Sequence, residues 1–244
     1  VMARTPSIMV NGKEKKQISA FVVETNSPGF DVIHRCDFMG IRGIQNGLLN
    51  FDNVKVPAEN IIGKPGEGLK IALVTLNTGR LSIPATTSAG GKAAILAGGK
   101  WAAERNQWGA PIGKHQNTAQ KLAVFASDTL AMEAVTWLSC SMADKGGSDI
   151  RIEAAMAKYF TTVHGCQIAD DFLQLRGGRG YETAESLAKR GEEPIPAERM
   201  VRDARIARIV EGTDEIMRLF IAREAMDAHV RQIMPLMMPG GDKL

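Results

Sequence analysis

Four short segments carry residue types that could do chemistry. In Glu211-Gly212-Thr213-Asp214-Glu215, Thr213 is a helix-capping residue, and Asp214 and Glu215 suit the first turn that follows. Glu211 falls just before that cap, beside a glycine and after the apolar run Ile206-Ala207-Arg208-Ile209-Val210. An apolar surround raises the proton affinity of a carboxylate, which suits a general base; a solvated acid at a helix start is the plainer alternative. Arg105-Asn106-Gln107-Trp108-Gly109 sets a cation, an amide and an aromatic side by side at a helix end. That set fits a phosphate next to a planar ring, or else a C-terminal helix cation and a buried tryptophan. Gly177-Gly178-Arg179-Gly180 would let backbone amides approach an anionic ligand closely. It follows a helix rather than a strand, so it fails the context of a dinucleotide loop and also reads as a helix stop and turn. Finally, Arg80 in Asn77-Thr78-Gly79-Arg80 lies on a mostly apolar helix and needs either an internal acid or an anionic ligand.

The elements that must position these residues differ between two parts of the chain. Residues 1–63 are strand-like. Strands are expected over 8–10 and 18–23 around an Asn11-Gly12 turn, with a third region at Leu48, Phe51, Val54 and Val56 closed by Pro57. Residues 64–244 are helical. Helices are expected over 69–103, with Pro84 kinking or breaking it, then over 118–143, 150–175, 197–209 and 214–233. The second is read with Leu122, Ala126, Leu130, Ala134, Trp137 and Leu138 as its apolar stripe, and residues 182–197 read as a loop. Four long helices with short links suggest an antiparallel bundle.

Composition removes several function classes. The 244 residues are 44% hydrophobic and 23% charged, as in ordinary globular domains, and no apolar run is long enough for a transmembrane helix. A net charge of +3 with 5% aromatics gives little support to nucleic-acid binding. Cys36, Cys140 and Cys166 lack pairing or metal spacing and read as free thiols. His34, His115, His164 and His229 are too scattered for a metal site. The chain opens almost at once into a strand that needs neighbours, which suggests a start in the middle of a domain.

Taken in order, these segments resemble the acyl-CoA dehydrogenase family, particularly its very-long-chain-like bacterial members. Met39-Gly40-Ile41-Arg42-Gly43 and Phe51-Asp52-Asn53-Val54-Lys55-Val56-Pro57 resemble the end of its middle β-domain. Leu76-Asn77-Thr78-Gly79-Arg80 resembles its first bundle helix, and Gln174-Leu175-Arg176-Gly177-Gly178-Arg179-Gly180-Tyr181 its Gln-x-x-Gly-Gly-x-Gly segment. Glu104-Arg105-Asn106-Gln107-Trp108-Gly109 with His115-Gln116 resembles the segment that reaches a flavin in the neighbouring subunit. Arg202-Asp203-Ala204, Ile209 and Glu211-Gly212-Thr213, followed by Ile216 and Arg218, resemble its catalytic stretch.

The resemblance implies an α+β, mainly α, fold: the C-terminal part of an antiparallel β-domain (1–63) followed by an up-and-down four-helix bundle (64–244). It implies FAD-dependent introduction of a double bond between Cα and Cβ of an acyl-CoA. Glu211 would abstract the α-proton, and hydride would pass from Cβ to the flavin. Arg105, Gln107, Trp108, Gln116, Gln174, Gly177, Gly178, Thr213 and Glu215 are then expected at the FAD, and Asn77, Arg80 and Gly212 at the substrate. The implied partners are an electron-transferring flavoprotein and further copies in a homodimer or homotetramer. The implied compartment is a bacterial cytoplasm or a mitochondrial matrix. Residues 1–244 alone are expected to fold their helical half without holding flavin or turning over substrate. An acyl-CoA oxidase and a silent helical assembly module are the competing readings. Arg176 and Arg179 stand where the family more often has apolar residues, Glu215 where an amide is frequent, and 182–197 is longer than usual.

Overall fold

The computed structural model describes residues 1–147 and 149–237. The chain forms two compact units, Val1–Thr78 and the remainder from Gly79 onward.

In the first unit β1 (Met2–Val10) and β2 (Lys13–Phe21) form an antiparallel hairpin, and β5 (Ile61–Ile62) pairs with β2. The hairpin turns at Asn11 and Gly12 with φ of 50° and 75°, the left-handed pair that Asn-Gly provides. β1 is longer than residues 8–10 because its ladder slips between Thr5 and Ile8, at Pro6, and this irregularity hides the alternation. β3 (Phe30–Arg35), not expected from the sequence, pairs with β4 (Gly47–Phe51). Its apolar residues fall on both faces and its own ladder is irregular between Val32 and His34, so no period of two shows.

The second unit is built on α1 (Gly68–Glu104) from Gly79 onward, α2 (Gln116–Lys145), α3 (Arg151–Arg176) and α7 (Asp214–Met237). Their directions follow from which side chains meet. Ser88 and Thr136 share a hydrogen bond, while Gly98 faces Leu122, so α1 and α2 are antiparallel. Asp128 meets His164 and Lys121 meets Asp171, so α2 and α3 are antiparallel. Tyr159 meets Arg218 and Arg151 meets Glu224, so α3 and α7 are antiparallel. This is the expected up-and-down bundle. Its core gathers Ala94, Phe125, Met132, Ile168 and Phe172, and Ala197 of the short helix α6 (Ala197–Arg205) completes it.

Three expectations change. α1 runs through Pro84 without a break; the ring is fully buried, and packing there outweighs the lost backbone hydrogen bond. The loop expected over 182–197 contains a helix, α5 (Ala184–Lys189), capped by the Thr183 hydroxyl, which accepts from Ser186 N–H. It follows a single helical turn, α4 (Gly178–Tyr181). The stripe expected on α2 is largely the outward one: Leu130, Trp137 and Leu138 are 68%, 67% and 60% exposed. The buried stripe is Thr118, Phe125, Thr129, Met132, Thr136 and Ser139. Thr136 and Ser139 enter the core because their hydroxyls donate to the carbonyls of Met132 and Val135, one turn back. No helix among the described residues is long and apolar enough to cross a membrane.

Candidate active site

Glu211 and Gly212 lie between a short 3-10 turn after α6 and the start of α7. Both have left-handed backbones, with φ of 56° and 106°. For a non-glycine residue that conformation must be held by its surroundings. Two cations hold it. Arg80 of α1 donates from Nε to the carbonyl of Glu211 at 3.2 Å, and Lys158 of α3 donates from Nζ to the carbonyl of Gly212 at 2.6 Å. Lys158 is completely buried. Burial pulls its ammonium below the usual lysine range, with Asp214 acting in the opposite direction. Burial also lowers Arg80, Glu211 partly offsetting it, and the guanidinium lies 5.3 Å from the centre of the Phe220 ring.

The Glu211 side chain lies over α1 at Gly79. A Cβ on Gly79 would stand 2.6 Å from the Glu211 Cδ, so a side chain there would push the carboxyl group out of this place. Its Oε2 atom is buried and has no hydrogen-bond partner among the described residues. A buried carboxylate oxygen without a donor is costly, and it is also ready to accept a proton from a bound molecule.

The start of α7 is secured separately. Thr213 Oγ1 accepts from Ile216 N–H at 3.4 Å, and buried Asp214 pairs with Arg208 at 2.6 Å. Glu215 is exposed, its carboxyl held below the usual range by its own backbone N–H and the Thr213 hydroxyl. Asn77 lies on α1 three residues before Arg80 and is half-buried.

A second group forms around Trp101, whose indole N–H donates to the Leu175 carbonyl at 3.2 Å. The guanidinium carbons of Arg176, Arg105 and Arg179 lie 4.8, 5.8 and 5.8 Å from its ring centre. Arg105, Gln107, Gly177 and Gly178 share a cleft of about 520 Å³ with these residues. β6 (Asn106–Gln107) and β7 (Ala110–Pro111) form a tiny hairpin with Trp108 and Gly109 at its tip. Trp108 is 87% exposed, not buried, and meets His115 edge-on at 5.8 Å. Gln174, whose carbonyl accepts from Gly177 N–H, and Gln116 are both exposed.

The expected site residues therefore fall into two groups. Arg80, Glu211, Gly212 and Thr213 lie at one end of the bundle; Arg105, Gln107, Gly177 and Gly178 lie at the other. α1 carries both Arg80 and Trp101, and at about 1.5 Å per residue separates them by about 30 Å. Lys158 and Gly79 were not singled out from the sequence. A lysine within Ala154-Ala155-Met156-Ala157-Lys158 was the available signal, since a cation in so apolar a helical stretch needs a partner.

Residues 66–226 match the family described as acyl-CoA dehydrogenase, C-terminal domain, and the chain belongs to the acyl-CoA dehydrogenase family. It is 52% identical over 242 residues to the probable acyl-CoA dehydrogenase FadE10 of Mycobacterium tuberculosis, covering 99% of this chain and 37% of that protein. The short-chain specific mitochondrial enzyme of Mus musculus is 37% identical over 210 residues, 86% of this chain and 48% of its own length. The chain thus spans half or less of these relatives. Among solved structures, butyryl-CoA dehydrogenase from Megasphaera elsdenii matches with a TM-score of 0.77 at 31% identity, over 86% of this chain and 52% of the other. The glutaryl-CoA complex of glutaryl-coenzyme A dehydrogenase matches at 0.76 and 32%, over 86% and 51%.

Proposed function

We propose that the protein carrying this chain removes hydrogen from Cα and Cβ of acyl-CoA thioesters with FAD, and that Glu211 is the base. The carrying observation is the buried, unpartnered Oε2 of Glu211, on a backbone held by Arg80 and Lys158 and over the bare Gly79. A thioester α-proton is weakly acidic, and its removal needs a base fixed within hydrogen-bond reach. Glu211 takes that proton on its carboxylate, and the two cations hold the backbone that carries it. Asn77, Arg80 and Gly212 line the approach of the thioester in this reading.

The chain's residues fit the cofactor. Arg105 has no carboxylate within salt-bridge distance among the described residues, and a Cβ on Gly177 or Gly178 would meet nothing within 4 Å, which leaves an open, cationic edge for phosphates. FAD, when bound, supplies the acceptor for the hydride leaving Cβ. Thr213 and Glu215 stand beside the base, whereas Arg105, Gln107, Trp108, Gln116, Gln174, Gly177 and Gly178 stand at or near the far end. A flavin shared between subunits accounts for this separation, so the working unit is a homo-oligomer. The exposed Leu130, Trp137 and Leu138 of α2 and Leu219 of α7 suit such contacts. An electron-transferring flavoprotein reoxidises the enzyme. Residues 1–63 are the remainder of a middle β-domain and 64–244 the helical domain.

The test is anaerobic mixing of the full-length protein with acyl-CoA of several lengths, following flavin bleaching. Bleaching that falls about 10²-fold or more in Glu211→Gln while flavin stays bound is expected. Near-normal bleaching in that variant refutes the assignment.

A further inference from the structure

We propose that Arg176 is a second phosphate anchor in the Trp101 cleft, working with Arg105 on the diphosphate of a flavin nucleotide. The proposal deepens the cofactor reading above and rests on it.

Arg176 is 7% exposed, and its Nε atom is buried without a hydrogen-bond partner. Among the described residues no carboxylate lies within salt-bridge distance of it, although acids are close by. Glu192 is taken by Arg179, which donates Nε and Nη2 at 2.6 and 3.0 Å, and by Arg190 at 3.1 Å. Glu182 is taken by Arg190 at 2.8 Å and Glu193 by Lys100 at 2.9 Å. The acids of the 182–193 connection are bonded to Arg179, Arg190 and Lys100; Glu193 and Glu192 act on Arg176 only from beyond bonding distance, and the close side-chain contacts are ring faces, Trp101 for Arg176 and Arg105 and Phe172 at 6.0 Å for Arg176.

A desolvated guanidinium with acids nearby but none in direct contact is costly, and an anion from outside the chain would supply the missing contact. Stacking on an aromatic face leaves the in-plane N–H donors of a guanidinium available, and their fork matches phosphate. The cleft supplies the rest. Gly177 and Gly178 leave the backbone open to approach, Gln107 adds an amide, and about 520 Å³ exceeds what one free phosphate fills. Of the three guanidiniums on this indole, the two not bonded to a carboxylate, Arg105 and Arg176, suit two linked phosphoryl groups.

The experiment uses flavin-free full-length protein, with ADP, FAD and adenosine as probes and calorimetry and thermal melting as readouts. In Arg176→Leu the dissociation constants of ADP and FAD should rise about 10-fold or more, with adenosine unchanged. The flavin-free variant should melt at the same temperature as the parent or higher, because an unpaired buried charge has been removed. Arg176→Lys keeps charge without the fork and should fall between; it carries the test if the leucine variant fails to fold. An unchanged ADP constant with a lowered melting temperature would overturn the proposal, leaving Arg176 as packing for Trp101. So would an equal loss for adenosine. A parent protein that binds neither ADP nor FAD defeats this proposal and the cofactor reading together; one that binds both and is indifferent to Arg176 defeats this proposal alone.

Discussion

The two ends of the bundle use their cations in opposite ways. At the Glu211 end, Arg80 and Lys158 are committed inward, one to each carbonyl of a left-handed Glu-Gly pair, and among the described residues the buried unsatisfied atoms there are acceptors, Glu211 Oε2 and Asp214 Oδ1. At the Trp101 end, Arg179 and Arg190 are committed to acids, while among the described residues Arg105 and Arg176 have no carboxylate within salt-bridge distance, and the buried unsatisfied atom there is a donor, Arg176 Nε. An acceptor on a firmly held backbone suits proton transfer, and a packed donor suits binding an anion. On the proposed reading, reaction belongs to one end and cofactor grip to the other.

The sharpest way to break the contrast is at Gly79. Gly79→Ala brings a methyl group against the Glu211 carboxyl, which is the free end of its side chain and can swing aside. Displacing a catalytic group by about 1 Å can cost ~10²-fold, so turnover should fall by about that much while flavin affinity holds. The helix itself should gain slightly, since alanine is favoured over glycine by about 1 kcal/mol in a helix interior. Unchanged turnover would mean that Glu211 does not work from its place over Gly79. Next in size, Arg105→Ala should raise the flavin dissociation constant ~10- to 150-fold, the loss of a charge-assisted contact, and leave the rate of the flavin-bound enzyme alone.

Lys158→Met comes third. It leaves the Gly212 carbonyl without its donor and should cost about 1–3 kcal/mol in unfolding free energy, with slower turnover. The pH dependence has a definite sign. Burial lowers the folded-state affinity of Lys158 for its proton. This opposes folding at pH below the lowered value and is relieved as pH rises through it toward the ordinary lysine range. The parent should therefore gain alkaline stability relative to Lys158→Met; a parallel pair of stability curves would contradict this. The smallest effect is at the helix start. Thr213→Ala removes the cap that receives Ile216 N–H and should cost about 1 kcal/mol, read in denaturant melts.

Glu211, Arg80 and Thr213, which lie together at one end of the bundle, carry local signals in the sequence: a cap, a glycine, a cation on an apolar helix. Lys158 and Gly79 were not legible, because each acts on residues far along the chain. The bundle was legible from helix lengths and short links. The inward face of α2 was not, because threonine and serine with hydroxyls bonded to the preceding turn pack like small apolar residues, whereas Leu130, Trp137 and Leu138 face out. Thr183 and the residues after it carried a usable cap signal for α5, hidden by the surrounding charges and prolines. The Trp101 cluster needed three dimensions, since it joins α1 to the end of α3.

The division between the ends is tested most directly by one crossed measurement on the full-length protein. Glu211→Gln and Arg105→Ala would each be scored for flavin dissociation constant and for the rate of anaerobic flavin bleaching by acyl-CoA at saturating flavin. The expected result is that Glu211→Gln loses about 10² or more in rate with its flavin constant unchanged, and that Arg105→Ala does the reverse. If both variants move the same readout, or if Glu211→Gln bleaches at the parent rate, the assignment of reaction to one end and cofactor grip to the other is wrong.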